Sequence, residues 1–308
     1  MDERVEAAAR ILGDGAGPRV RRDFALAPLT SFRLGGPAAL YLEVEGAEDL
    51  DAVAQASAET GLPVVVIGKG SNLLVSDRGF PGIVIRLGRP FRWTARDGDR
   101  LTAGAAMPLP ALAGVALSHA LSGLSFGVAI PASLGGAVRM NAGAHGHSLD
   151  EVVEAVEVYP LAEARSRWVD AADADFAYRS SALPDGSVVV AARVALTPGD
   201  PTEIRRDMDE ARDWRRRTQP LAEPNCGSVF KNPPGDHAAR LVEEAGGKEL
   251  SVGRARVSEK HANFVIAAPG STAADVHRLI GLVRDRVRER FGVDLEPEVH
   301  RVGAFDEP

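Results

Sequence analysis

Six short stretches of this 308-residue chain concentrate residue types able to bind or react. Gly68-Lys69-Gly70-Ser71-Asn72 gathers two glycines, a cation and two polar side chains in one loop. Glycines let successive backbone N–H groups turn toward one point. The loop therefore reads as a diphosphate cradle or, on composition alone, as a plain tight turn. Thr30-Ser31-Phe32-Arg33-Leu34-Gly35-Gly36-Pro37 has a similar make-up. Small residues from Ala129 to Ala137, running into Met140-Asn141-Ala142-Gly143-Ala144, admit a flat ligand or another piece of backbone. Asn225-Cys226-Gly227-Ser228-Val229-Phe230-Lys231-Asn232-Pro233 is dense in donors beside an aromatic. Val257–Phe264 (VSEKHANF) and Leu295-Glu296-Pro297-Glu298-Val299 add charged groups whose simplest reading is solvated surface.

Common catalytic signatures do not fit. A phosphate loop G-x-x-x-x-G-K-[ST] would need glycine at Pro63 and Ser or Thr at Gly70. A dinucleotide fingerprint would need glycine at Leu73. Cys226 stands where G-x-S-x-G requires glycine before Ser228. His145 and His147 have no acidic or cysteine partner pattern nearby, so no metal site is expected.

The elements that must position these stretches follow from periodicity. Residues 3–12 and 47–60 read as helices, the second stopped by Gly61-Leu62-Pro63. Residues 63–67 and 83–87 read as buried strands of a small α/β unit. Residues 101–196 mix strands, at 152–159, 167–170 and 188–196, with glycine loops. A charged helix is expected over 202–217, then a linker around Pro220 and Pro224. Helices at 237–245 and 272–291 follow, the latter opened by Thr272 and Asp275 at capping-box spacing, and a strand at 299–302 closes the chain.

Composition removes whole classes. With 45% hydrophobic and 26% charged residues the chain is globular, and its length suits two or three domains. One cysteine cannot make an internal disulfide or a cysteine-based zinc site. No apolar run reaches the roughly 18–20 residues of a membrane helix. Met1-Asp2-Glu3-Arg4 is unlike a signal peptide, so a cytoplasmic enzyme with no membrane partner is expected. A net charge of −7 argues against nucleic acid as a partner. Only Lys69, Lys231, Lys248 and Lys260 are lysines among the 36 basic residues, and three of these four fall inside the stretches above.

Taken in order, the stretches resemble the UDP-N-acetylenolpyruvoylglucosamine reductase family over roughly residues 20–303. The match rests on T-S-F-R-x-G-G-P, G-x-G-S-N-L-L, N-A-G-A, F-x-Y-R-x-S (Phe176–Ser181), C-G-S-V-F-K-N-P, E-x-G-G-K, V-S-E-K-H-A-N-F and L-E-P-E-V. The resemblance implies an α+β chain: a two-domain FAD-binding fold of the PCMH/vanillyl-alcohol-oxidase type plus a C-terminal α+β substrate domain. Here these would be residues 1–88, 89–205 and 206–308. The compact third part resembles the family type without an inserted tyrosine-bearing loop. The implied enzyme is a monomer with non-covalent FAD. It passes hydride from NADPH through the flavin to UDP-N-acetylglucosamine enolpyruvate, making UDP-N-acetylmuramate for peptidoglycan.

By the same matching, Arg179, Ser228 and Glu298 are the catalytic residues. Hydride delivery to C3 of the enolpyruvyl group pushes charge toward the carboxylate. A planar, permanently charged arginine fork suits that charge. Ser228 matches the donor of the proton at C2, where a weak but positioned acid suffices because the carbon is strongly basic. Glu298 matches a residue that binds or polarises the substrate carboxylate; acting as a neutral acid, it would need a raised pKa. Tyr178, Gln219, Lys231 and Asn232 match substrate contacts. Gly68, Gly70, Ser71 and Asn72 match the flavin pyrophosphate site, and Pro131, Ser133, Gly135, Gly136 and Arg33 the surroundings of the flavin. Cys226, two residues from Ser228, reads as an active-site wall open to thiol reagents.

Four residues depart from the family pattern. Ala132 stands where glycine is usual, which is tolerable only at negative φ. His145 stands where an aromatic is common, and Ala267-Ala268 replace an asparagine-containing turn. An oxidase of the same fold would be expected to carry a histidine or cysteine for covalent flavin at the cradle loop, and Gly68–Asn72 has neither. A non-enzymatic relative would have lost one of Arg179, Ser228 and Glu298, and all three are present.

Overall fold

The computed structural model describes residues 2–306. The chain divides into two compact units. One contains the chain up to Arg22, Leu40–Lys69 and Gly82–Arg215; the other contains Asp23–Ala39, Gly70–Pro81 and the chain from Arg216 onward.

In the first unit, helix α1 (Glu3–Ala16) lies against α2 (Ala47–Thr60). Their facing sides are small or apolar: Ala8, Leu12 and Ala16 on one, Leu50, Val53 and Ala54 on the other, all buried. Helix α2 stops at Gly61, whose φ of 66° is left-handed and whose N–H donates to the Ser57 carbonyl. The chain then enters strand Val64–Val66, parallel to Phe80–Leu87, with Val64 opposite Ile83 and Val66 opposite Ile85. A second, antiparallel sheet has the order Arg167–Asp170, Val153–Pro160, Ser187–Ala195, Arg100–Gly104, Thr94–Asp97. Its central strand is buried on both faces from Ser187 to Ala192, which is why it reads as an unbroken apolar run.

Two helices of this unit, α3 (Leu109–Ser118) and α4 (Leu134–Arg139), were not expected. Helix α3 is apolar nearly all round, so it shows no helical stripe. Helix α4 is six residues long and contains Gly135 and Gly136, poor helix formers. Helix α5 (Pro201–Thr218) matches its charged pattern.

Asp49 is 3% exposed and receives both arms of the Arg19 guanidinium, at 2.6 and 2.7 Å. Burial alone would raise its carboxyl, but Arg19 and the Glu45 backbone N–H outweigh that and hold it below its usual range. A depressed acid stabilises the fold fully above the unfolded pKa, roughly 4, and loses that contribution as pH falls through the folded value. Asp49→Asn is expected to cost about 2 kcal/mol near neutral pH. Urea titrations should show this gap from the wild type closing below roughly pH 4.

The second unit has its own core, in which Phe32, Leu74, Phe230 and Leu241 cluster with Val276, Leu279, Ile280, Val283 and Val287. Helix α6 (Ala238–Glu244) and α7 (Ala273–Phe291) accompany a three-stranded antiparallel sheet, Ser251–Val252, Ala255–Val257 and Val265–Ala267. The capping box expected at α7 is present: Asp275 N–H donates to Thr272 Oγ1, and Thr272 N–H returns to the Asp275 carboxylate. Asp77 adds a second carboxylate, accepting from Ala273 and Ala274 N–H at the same helix start. Strand His300–Val302 runs parallel to Leu73–Val75. No helix among the described residues is long and apolar enough to cross a membrane.

Candidate active site

The first unit holds an open cleft. Gly68, Gly135 and Gly136 form part of its wall, and Val66, Ile67, Leu87, Ala105, Ala106 and Val189 give it apolar surface. Lys69, Arg86, Arg92 and Arg139 also line it, with no carboxylate among the lining residues. Burial, then Arg92 and Arg86, pull the Lys69 ammonium below its usual range. An anion placed there would relieve that repulsion. A flat apolar group carrying a diphosphate, such as FAD, fits this lining.

Side-chain-free backbone is part of the fit, because a Cβ on Gly68 would overlap Ser133 Oγ. Gly68→Ala is therefore expected to push buried Ser133 into the cleft. The purified variant should carry markedly less flavin per chain, read from the visible absorbance. Full flavin content would show that this wall does not border the cofactor.

Of the residues matched to the cofactor, Gly68, Ser133, Gly135 and Gly136 line this cleft. Pro131, exposed, belongs to the same unit, whereas Arg33, Gly70, Ser71 and Asn72 belong to the other. Gly70 has φ 61°, and a Cβ there would overlap the Leu29 carbonyl oxygen, so the local backbone by itself requires glycine. The Asn72 amide donates to the Glu298 carbonyl at 3.0 Å and the Asn72 carbonyl accepts from His300 N–H, tying down the segment that carries Glu298. Sequence reading missed Arg86 and Arg92. The signal for Arg86 was an arginine inside the buried run Ile83-Val84-Ile85-Arg86-Leu87.

Also in the first unit, Tyr178-Arg179 is the tip of a two-residue turn. Ala177 and Ser180 exchange both backbone hydrogen bonds, each 3.1 Å. Arg179 has φ 57°, a conformation that costs a non-glycine residue roughly 1–3 kcal/mol. Its Nη2 donates to the Gly143 carbonyl at 2.9 Å, and its guanidinium carbon lies 4.9 Å from the centre of the Tyr178 ring.

Ser228 and Glu298 are neighbours in the second unit. Ser228 bridges Phe264, and Glu298 N–H donates to the carbonyl of Val229, the next residue, at 2.8 Å. Asn263, 3% exposed, clamps the same segment. Its amide nitrogen donates to the Phe230 carbonyl, and its side-chain oxygen accepts from Phe230 N–H. Lys231 Nζ donates to Glu296 at 2.8 Å. The Asn232 side-chain oxygen accepts from Ala238 N–H at the start of α6. Gln219 lines a separate cleft of this unit with Arg216, Arg256 and Lys260.

Comparison with known proteins decides the lineage. A family model described as FAD binding domain matches residues 38–164. One described as UDP-N-acetylenolpyruvoylglucosamine reductase, C-terminal domain, matches residues 219–302. The chain is 45% identical to the reductase of that name from an Anaeromyxobacter species, over 99% of this chain and 93% of that one. It is also 45% identical to the Myxococcus xanthus reductase, over 97% and 96%. A crystal structure of the Thermus caldophilus reductase superposes with a TM-score of 0.80 at 38% identity, covering 92% of this chain and 99% of that one.

The chain belongs to the UDP-N-acetylenolpyruvoylglucosamine reductase family. It is an FAD-dependent oxidoreductase, with the expected α+β flavin-binding fold followed by the family's C-terminal domain. Two departures from the family pattern now have structural readings. Ala132 is absent from the residues with positive φ, so its methyl is tolerated. His145 packs edge-on against Trp214, ring centres 5.0 Å apart.

Cys226 needs correction. It is 5% exposed, and burial, with the Glu298 charge nearby, raises its thiol well above the usual range. A buried, protonated thiol is a poor nucleophile, so Cys226 is core and no target for thiol reagents. The native protein is expected to leave an aromatic disulfide reagent unconsumed, and the urea-unfolded protein to consume one equivalent. Fast reaction of the native form would contradict this burial.

Proposed function

We propose that this reductase catalyses the NADPH-dependent reduction of UDP-N-acetylglucosamine enolpyruvate to UDP-N-acetylmuramate in peptidoglycan precursor synthesis. When bound, FAD supplies two-electron hydride chemistry between NADPH and the enolpyruvyl carbon C3. Gly68, Ser133, Gly135 and Gly136 would border the cofactor, with Lys69, Arg86 and Arg92 toward its phosphates; Gly70, Ser71, Asn72, Arg33 and Pro131 complete the set we assign to it. Arg179 holds the substrate carboxylate and stabilises the charge that develops on it. Ser228 gives its hydroxyl proton to C2. Glu298 binds or polarises the carboxylate. Tyr178, Gln219, Lys231 and Asn232 contact the sugar nucleotide.

The observation that carries this reading is the fixed adjacency of Ser228 and Glu298, through the hydrogen bond from Glu298 N–H to the Val229 carbonyl, within a C-terminal region matched to this family. We take residues 1–88 and 89–205 to share the flavin and residues 206–308 to hold the substrate. The enzyme works as a cytoplasmic monomer without nucleic acid. The test is anaerobic: NADPH bleaches the flavin, then the enolpyruvyl sugar nucleotide is added. Return of the flavin colour with formation of one UDP-N-acetylmuramate per flavin is expected. A flavin that stays bleached overturns the proposed reaction.

A further inference from the structure

We infer that Asn141 is a positioning residue for the reaction, acting through Arg179; the inference rests on the catalytic role proposed for Arg179. Asn141 is 2% exposed, and both ends of its side-chain amide are engaged. Nδ2 donates to the Ala177 carbonyl at 3.0 Å, and Oδ1 accepts from Asp150 N–H at 3.0 Å. The Ala177 carbonyl is also the acceptor for Ser180 N–H, the bond that closes the Tyr178-Arg179 turn. Asn141 therefore occupies the second lone pair of the oxygen on which that turn hangs.

Two residues further along, the Gly143 carbonyl accepts from the Arg179 guanidinium. One short segment, 141–143, thus holds the turn at its base and the guanidinium at its tip. Arg179 needs such support, because its φ of 57° is unfavourable for a side-chain-bearing residue. Gly143 can carry no Cβ here, since one would overlap the His147 carbonyl oxygen and lie 3.1 Å from Arg179 Nη1. Asn141 itself has φ 40°, a region asparagine enters more readily than most residues. The residue type at 141 thus answers two demands at once: a left-handed backbone and a two-ended amide.

The consequence is a division between half-reactions. Oxidation of NADPH involves no substrate carboxylate, so it does not depend on how Arg179 is aimed. Reduction of the enolpyruvyl group does. Asn141→Gly keeps the backbone angle accessible and removes the side chain with its amide. In this variant, anaerobic reduction of the flavin by NADPH is expected within two-fold of the wild type. Reoxidation by the enolpyruvyl substrate should slow by roughly 10- to 100-fold, the scale of a misplaced catalytic group. Asn141→Ser, which keeps one shortened donor, should fall between, and replaces the glycine variant if that fails to fold.

In an Arg179→Ala background, Asn141→Gly or Asn141→Ser should add no further slowing, because the group being positioned is gone. Equal slowing of both half-reactions, the same additional loss in the Arg179→Ala background, or reoxidation within two-fold of the wild type would each overturn the inference. If Arg179→Ala alone reoxidises at the wild-type rate, the catalytic role of Arg179 fails, and the inference falls with it for that separate reason. Melting temperature and flavin content of each variant show whether any loss is one of folding.

Discussion

Ser228→Ala should lower turnover by roughly 10³-fold, the scale of a positioned general acid, while NADPH still bleaches the flavin at the normal rate. The substitution removes one oxygen. The backbone around it is held by other groups: the bridge to Phe264, the two bonds between the Asn263 side chain and the Phe230 backbone, and the Val229–Glu298 bond. The site should therefore keep its shape, and substrate binding should change little. The measurement is stopped-flow absorbance of each half-reaction. Substrate-driven reoxidation within ten-fold of the wild type would remove Ser228 from the role of proton donor.

The second large effect is expected at Arg179. Arg179→Lys keeps the charge but loses the planar fork. Arginine can give one N–H to the Gly143 carbonyl and still offer others in fixed directions to a carboxylate; an ammonium on a flexible stem cannot do both in the same geometry. Loss of a pre-aimed donor to a developing charge typically costs 10²–10³ in kcat. A fall of roughly 10²-fold is expected, concentrated in substrate-driven reoxidation. If Arg179→Lys retained full activity, charge alone would be enough and the turn that presents Arg179 would have no catalytic meaning.

Much of the element pattern was legible because its signals are local. The spacing of Leu50, Val53 and Ala54, with Gly61-Leu62-Pro63 behind it, marks helix 47–60 to the residue. Thr272 and Asp275 announce the start of α7 through a contact spanning three residues. The strand at 167–170 was equally plain. Helices α3 and α4 were not, since one lacks an amphipathic stripe and the other is short and glycine-bearing. The first helix was expected to end at 12 but continues to Ala16, where Gly17 at φ 57° stops it.

For the site, motifs a few residues long, matched to the family, supplied the candidates Arg179, Ser228 and Glu298. Whether Gly68–Asn72 was a cradle or a turn could not be told from its composition. Tertiary structure shows Gly68 and Lys69 lining a cationic cleft, and Asn72 bound to Glu298, 226 residues away. Arg86 and Arg92 joined the cleft only through folding, as did the burial that silences Cys226. The support of Arg179 by Asn141 spans 36 residues, from Asn141 to Ala177. Turn chemistry, caps and apolar periods act within about one helical turn of chain, so sequence by itself determines them. Burial, charge repulsion and hydrogen bonds between distant segments arise only when the core brings those segments together, and in this protein they decide how the chemically able residues are aimed.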